Sequence, residues 1–456
     1  MLLALRRSFD IWSASVFILA VAIFCPILSL IYLSFGDSEG LWTHLLESVL
    51  ARYVSTTVAL MLGVSCLTLL FGVATAWIVA AYQFRFSKLL DMVILLPIAC
   101  PAYLVAYAYT DFFEYAGPVQ GALRDMMGWK TARDYYFPEI RSLGGAIFVL
   151  SSVLYPYVYL LSRTAFRHIP ASFYEVAAIS NRNVFWNICL PLARPAIVAG
   201  LALVCMEVVS DFGTVEFFSL ETLTLGIFNV WIGMNNITAA AQISTFTFIF
   251  IILLLLIEMY SRSRKRFNDT SRKQTVAKPK IVTGFKAVLL YVVCLTPVIF
   301  GFVTPAAILL WNVVKSADMA AFLAVADVLK NSLLIATLGA ALIMGSAILV
   351  ASAAKFNGGR IIQVVGNLSA TGYAFPGTML AIGVLVFLGF VDRGINAVSW
   401  GFGNLHLSGT ILALLFAYLV RFQAVGYGSV ASGLTKIPPN LISCSRSLGM
   451  TSHSTM

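Results

Sequence analysis

Glu207 and Asp211 stand four residues apart in the run CMEVVSDFGTVEFF, and Glu216 follows at its end. At that spacing the first two share one face of a helix. Carboxylates inside an apolar segment are expensive and mark either a pathway or a paired site. The three are therefore candidate lining for a cationic cargo near the outer mouth of a path, without the close grouping that would assign a metal site. A second reading fits equally. Asp211 and Glu216 then lie beyond the hydrocarbon, Gly213 marks the break, and Glu207 pairs with a neighbouring helix. Arg421 in AYLVRFQAV poses the same choice, and the expectation is that it snorkels inward from the end of its helix.

Covalent chemistry has little footing. The four histidines, His44, His168, His406 and His453, are isolated from one another. There is no His-Glu-x-x-His, no Gly-x-Ser-x-Gly and no Gly-x-x-x-x-Gly-Lys-Ser/Thr phosphate loop. No catalytic residue and no cofactor is assigned to this chain, and any ATP that drives it must be bound by another. None of the seven cysteines forms a Cys-x-x-Cys pair, and most lie in apolar runs as small hydrophobes.

The elements that must position these residues are apolar helices. Of 456 residues, 60% are hydrophobic and 11% charged, against roughly 45–50% and about 25% in soluble proteins. Many runs reach the roughly 20 residues that cross a bilayer. They are continuous, without the dyad alternation of a barrel strand. The pattern predicts helices over 12–35, 54–81, 89–113, 143–163, 195–213, 239–260, 286–312, 331–354, 361–391 and 408–428. The first follows Arg6 and Arg7 without a small-residue cleavage site, so it is expected to be retained.

A cytoplasmic N-terminus puts 22 of the 30 lysines and arginines on the cytoplasmic side, as the positive-inside rule requires. The net charge of +10 follows from that asymmetry and calls for no nucleic acid. The run SRSRKRFNDTSRKQTVAKPK (261–280) reads as a flexible linker held against anionic lipid headgroups.

The linker divides two similar halves. YVSTTVALMLGVSCLTLLFGVATAWIVAAY leads to PAYLVAYA at Pro101, and LKNSLLIATLGAALIMGSAILVASAAKF leads to PGTMLAIG at Pro376. Each half then has a further span and an Ile-Pro step, Ile169-Pro170 and Ile437-Pro438, on the same side of the membrane. The repeat is therefore parallel, with its axis along the membrane normal.

After the first Ile-Pro step comes a polar island, HIPASFYEVAAISNRNVFWNICLPLARPAIVAG. Residues 173–180 read as a short surface helix, with Ser172 as its cap and Glu175 completing a capping box. Ala177 and Ala178 offer a face of little bulk, and Pro191 and Pro195 end the island and restart the chain into the next span.

This stretch resembles the EAA loop of binding-protein-dependent ABC importer permeases, whose pattern is Glu-Ala-Ala, then Gly, then Leu-Pro. Glu175 matches the Glu, Val176 replaces the first Ala, Ala177 matches the second, Asn181 stands at the Gly, and Leu190-Pro191 match the closing pair. The spacing is a few residues shorter than the family's. In KIPPNLISCSRSLGMTSHSTM, Ser443 stands at the Glu position and Gly449 restores the Gly. The sequence ends at Met456 before a second Leu-Pro, so the resemblance implies a C-terminally truncated second half.

The resemblance also implies a fold and partners. The fold would be the type I ABC importer transmembrane fold: an all-α polytopic membrane protein of two parallel repeats, with about ten transmembrane helices of an expected twelve. The expected division is 1–53, an N-terminal helix and periplasmic loop; 54–260, the first transmembrane domain; 261–285, the basic linker; 286–328, a linking helix; and 329–456, the second transmembrane domain. Expected partners are cytoplasmic ABC ATPase subunits, two of them, docked on the loops carrying Glu175 and Ser443, a periplasmic solute-binding protein, and membrane lipid. The expected site is a bacterial inner membrane.

VVSDFGTVEFF and GIFNVWIGMNN look most like the ferric-iron permeases, with thiamine and phosphonate permeases as neighbours. An ion-driven secondary transporter is the rival class. It would not need paired Ile-Pro cytoplasmic loops, and it would carry more charge at mid-membrane.

The charge asymmetry makes a direct prediction. Cysteines placed at Ser172 and Ser271 resist a membrane-impermeant thiol reagent in intact cells, and labelling of both from outside overturns the orientation.

Overall fold

The computed structural model describes residues 11–180, 182–263, 279–315, 319–356, 375–398, 406–435 and 437–449, together with Ile362, Val364, Gly366 and Gly372. In chain order the elements are α1 (Ile11–Ser34), α2 (Leu41–Ser48), α3 (Leu50–Ala81), β1 (Tyr82–Gln83), α4 (Ser87–Val93), α5 (Ala102–Phe113), α6 (Pro118–Met127), α7 (Leu143–Arg167), α8 (Ala171–Ile179), α9 (Leu190–Ser210), α10 (Gly213–Phe217), α11 (Leu223–Phe228), α12 (Ile237–Ser263), β2 (Lys280–Ile281), α13 (Phe285–Val298), α14 (Thr304–Lys315), α15 (Met319–Phe356), α16 (Gly377–Val398), α17 (Ile411–Thr435) and α18 (Pro439–Ser447).

The fold is all-α and polytopic. Among the described residues eight helices are long and apolar enough to cross a membrane, or nine if one bent pair is a single span. Helices occupy all ten expected ranges, although most of 361–374 lies outside the described residues. The helix at 239–260 is not counted among the eight.

Several spans differ from the plain rods the periodicity predicts. The span expected over 89–113 is broken. Ser87–Ala99 meets Ala102–Met127 at 83°, because Pro97 and Pro101 remove backbone donors where a helix would need them. Pro101 instead sits just outside α5, and its carbonyl accepts from Leu104 and Val105. In the second half Pro376 precedes α16 and accepts from Leu380 in the same way. The span over 286–312 carries a π-turn at Ile299–Val303 between α13 and α14. It puts Gly301 so near the Ser152 carbonyl that a Cβ there would lie 2.1 Å from the oxygen.

The described residues of Thr43–Gly226 and Ile249–Ala317 form one compact unit, and those of Met1–Trp42, Ile227–Phe248 and Asp318–Met456 form another. In the first, α7 packs against α3 and α9. Its core includes Leu60, Val64, Val149, Tyr155, Val158 and Tyr159. The close seam is made by absent side chains. A Cβ on Gly72 would lie 2.7 Å from the Val158 Cβ, and one on Gly200 would lie 2.9 Å from the Val158 Cα. Small residues are what let helices approach without a hydrophobic drive between them.

In the second unit α15 pairs with α17 and α1 packs on α16, so the pairing of α3 with α7 recurs in the other half. Ser346 of α15 donates to the buried Gln423 Oε1 of α17 at 2.6 Å. Asp392 near the end of α16 accepts from the backbone of Leu407 at 2.8 Å and of Ser408 at 3.1 Å, which fixes the turn into α17.

The seam predicts a mutational contrast. Gly200→Val drives carbon into the α7 backbone and lowers stability by about 1–3 kcal/mol. Gly389→Ala has nothing within 4 Å to meet and leaves stability unchanged or slightly raised. Thermal unfolding of each variant in detergent reads the difference.

Candidate functional site: a surface helix slung between two spans

The chain leaves α7 at Arg167, turns through His168, Ile169 and Pro170, and enters α8 at Ala171. Ile169 is buried and anchors the turn, and the His168 Nδ1 lies 2.7 Å from the Thr164 carbonyl. The Phe173 backbone donates to the Pro170 carbonyl at 3.2 Å. The helix thus starts two residues before the expected 173, because Pro170 presets the first turn as well as any cap. Ser172 falls inside that turn and Glu175 beyond it, so the expected capping box does not form.

The far end is held by a residue the sequence reading passed over. The Asn183 Oδ1 accepts from the backbone of Phe185 at 3.0 Å and of Trp186 at 3.3 Å, which makes it the cap of the next helix. That helix runs through a π-turn at Phe185–Cys189 directly into α9. Leu190 and Pro191 therefore lie at the junction and Pro195 inside α9, so the two prolines do not restart the chain as expected. The asparagine before an apolar run was a legible cap signal.

Beneath α8 sits an aromatic cluster. Trp77 at the end of α3 meets Phe166 of α7 at 5.6 Å and Phe185 at 5.1 Å between ring centres. The Tyr174 hydroxyl meets the Cys189 thiol. A cavity of about 350 Å³ opens between Trp77, Tyr82, Tyr174, Asn183, Trp186 and Lys280. Lys280 belongs to β2, which pairs in parallel with β1 in the register Tyr82 to Lys280 and Gln83 to Ile281. The end of the basic linker thus lies beside α8 on one face of the unit.

Ala177 is only 1% exposed. The small face it offers is turned into this chain and lets α8 lie close; it is not open to a partner, as the sequence reading expected. What α8 and the turn after it present is Phe173, Glu175, Ile179 at 87% exposure and Trp186 at 64%. A carboxylate among exposed apolar side chains is the composition of a docking face rather than of a solvated loop. Ala178 falls within α8, and Asn181 lies outside the described residues. In the second half Ser443 falls within α18, and Gly449 stands just past that helix with φ +80°, a left-handed conformation that glycine adopts freely.

A second constellation was also missed. On α7, Tyr155, Tyr159, Arg163 and Arg167 recur every fourth residue. The Tyr155 hydroxyl donates to the Ile94 carbonyl at 2.7 Å. Tyr159 donates to the Asp91 Oδ1, and Arg163 and Arg167 both donate to its Oδ2, Arg167 at 3.2 Å. Asp91 lies on α4, so one stripe of α7 grips the short arm of the broken span. Four polar residues at helical spacing in an apolar helix were the signal; the arginines had been read only as topology markers.

Among the described residues the three pathway candidates form no group that could hold a metal ion, although Glu207 lies near enough to Asp211 for their charges to interact. The Asp211 Oδ1 caps α10, accepting from Thr214 at 2.9 Å and Val215 at 3.2 Å, and its Oδ2 accepts from the Thr214 hydroxyl. Glu207 is half-buried on α9, and Glu216 is exposed. Arg421 lies near the middle of α17, which continues to Thr435. It is too far from either end to be the terminal snorkelling residue expected, and its guanidinium lies against Gly377 at the start of α16.

Residues 68–266, from within α3 to just past α12, match the family described as binding-protein-dependent transport system inner membrane component. This span carries the sequence pattern of that family. The chain is 22% identical over 419 residues to the Fe(3+)-transport system permease protein FbpB 2 of Haemophilus influenzae, covering 88% of this chain and 73% of that protein. It is 28% identical over 183 residues to the putative 2-aminoethylphosphonate transport system permease protein PhnU of Salmonella choleraesuis, covering 39% of this chain and 63% of the relative. It is 24% identical over 215 residues to the probable sulfate transport system permease protein cysT of Chlorokybus atmophyticus, covering 46% of this chain and 72% of that one.

The cap carries a prediction. Asn183→Ala removes the acceptor for two backbone donors and costs about 0.5–2 kcal/mol locally, while Asn183→Asp preserves it. Protease sensitivity of the segment between α8 and α9 rises in the first variant and not in the second.

Proposed function

We propose that the chain is the transmembrane subunit of an ATP-driven importer, that α8 is the helix on which a cytoplasmic ATPase docks, and that the cargo is ferric iron. The observation that carries the reading is α8 itself. It is a short helix slung between spans α7 and α9, held at both ends, with Glu175 exposed among apolar side chains. Such a helix can receive a push and hand it to two spans at once. In this reading α18 serves the second half in the same way.

The N-terminus and linker are cytoplasmic, the membrane is a bacterial inner membrane, and two ATPase subunits bind the ATP that this chain has no loop to hold. A solute-binding protein delivers cargo from the opposite side, and the two halves rock around a central path. No covalent chemistry occurs in this chain. Iron is favoured by the relative that aligns along most of the chain. The phosphonate permease, at higher identity over a shorter stretch, supports a phosphonate compound as the second cargo, and thiamine is the third.

Glu175 is the test. Its side chain is exposed and past the first turn of α8, so replacing it touches the fold by no more than about 0.5 kcal/mol. Membrane insertion of Glu175→Ala and Glu175→Gln is therefore normal. Both variants lose cargo-stimulated ATP hydrolysis and uptake when reconstituted with the ATPase and binding protein, because the charge and not a cap is what has been removed. Uptake and stimulation equal to the parent in both would reduce α8 to an interfacial anchor. Parallel uptake of radiolabelled ferric iron, 2-aminoethylphosphonate and thiamine by the parent assigns the cargo.

A further inference from the structure

The contact between α4 and α7 has a consequence for how a push on α8 travels. α7 ends at Arg167 and α8 begins at Ala171, so the last turns of α7 are the base on which the docking helix stands. Those turns are gripped from the side by one residue. The Asp91 carboxylate is 14% exposed and faces two guanidiniums and a phenol, with Arg163 22% exposed and Arg167 43% exposed. It is the acid of both ion pairs that the described part of α7 makes there. Both guanidiniums meet on one oxygen, Oδ2, while the phenol takes Oδ1, and opposite charges attract more strongly in a half-buried setting than in water.

Asp91 also has a special place in the chain. It lies on α4, the arm that meets α5 at 83° after the Pro97 and Pro101 break. A stripe of α7 thus binds that arm at successive turns, through the Ile94 carbonyl and then three times through Asp91. Packing alone would let the arm slide, whereas a shared carboxylate fixes it in register. A displacement of α8 then moves α7 and the broken span together.

We infer that Asp91 is a positioning residue of the transport cycle, which with Tyr159, Arg163 and Arg167 clamps the base of the docking helix to the broken span so that the two move as one body. The role in transport rests on the importer reading; the clamp itself does not. The bonds of Asp91 run to Tyr159, Arg163 and Arg167 on α7, so its effect is exerted through that helix.

Two measurements test it. The first uses permease with its ATPase and binding protein in proteoliposomes, and reads cargo taken up per ATP hydrolysed, with radiolabelled ferric iron, 2-aminoethylphosphonate and thiamine as probes. Asp91→Asn lowers that ratio about tenfold while basal ATP hydrolysis persists. Asp91→Glu retains most of it, and the exchange Asp91→Arg with Arg163→Asp recovers part of what either single change loses. A parent-like ratio in Asp91→Asn overturns the proposal.

The second needs no cargo or partner. Spin labels at Lys88→Cys on α4 and Ser172→Cys on α8, with the native cysteines replaced, report the distance between arm and docking helix in lipid vesicles. The distribution is narrow in the parent and broadens in Asp91→Asn. An unchanged distribution overturns the clamp whatever the protein transports. A parent that shows no cargo-stimulated ATP hydrolysis while the distribution broadens sinks the importer reading and leaves the clamp standing.

Discussion

A chain that crosses hydrocarbon must satisfy its own polar groups, and most of this structure follows from that constraint. The backbone complies by becoming helical along nearly all of its described length. The side chains comply locally. Thr57, Thr68, Thr75, Thr110, Ser152 and Thr247 each donate to the carbonyl four residues back on their own helix. Such a bond satisfies the donor without a partner on another helix, and the Thr57 hydroxyl in addition accepts from the Leu223 backbone at 3.0 Å. Polar side chains that do reach across to another element identify places where relative position matters, among them Ser346 with Gln423, Tyr109 with Phe300, Tyr155 with Ile94, and the group around Asp91.

Where the helical ladder is interrupted, the same constraint explains how. Pro101 and Pro376 stand just before helices, where the missing donor is not required. The π-turn at Ile299–Val303 admits one extra residue and sets a glycine on the α7 backbone. The left-handed Phe86, φ 60°, turns the chain from β1 into α4 at the start of the arm that carries Asp91. Each departure from the straight rod is spent on aiming a neighbouring element.

Fold class was legible because apolar length alone announces a span. The island at 168–191 was legible because charge in so apolar a chain requires a surface. The rest failed for identifiable reasons. The apolar pattern ran straight through Pro97 and Pro101 and so did not show that they bend a span by 83°, whereas Pro195, read as a restart, sits inside α9. Ala177 was taken as open because its small side chain invites contact, and the contact proved to be with its own chain. Arg163 and Arg167 fitted the inside-positive pattern so well that a second duty was not sought, and Asp91 has no sequence neighbour to reveal its partners about 70 residues away. A rule that counts charges by side cannot see which of them meet.

The unit that contains α1 is assembled from pieces far apart in sequence, and this sets a timetable for its biosynthesis. Gly36 and Ser38, just after α1, accept from Gln242 at 3.1 Å and Asn236 at 3.3 Å, and the face of α1 at Pro26 meets Gly383. At the roughly 5–20 residues per second of a ribosome, α1 waits on the order of 10–40 s for its first partners and longer for α16. Throughout that wait it is a lone helix in lipid, stable as a rod but without its neighbours. The other unit, built mostly from one continuous run, can close while the ribosome is still working. The late unit is therefore where a stalled or mispaired chain is exposed to membrane proteases, and α1, the earliest helix described, is among the last to find its place.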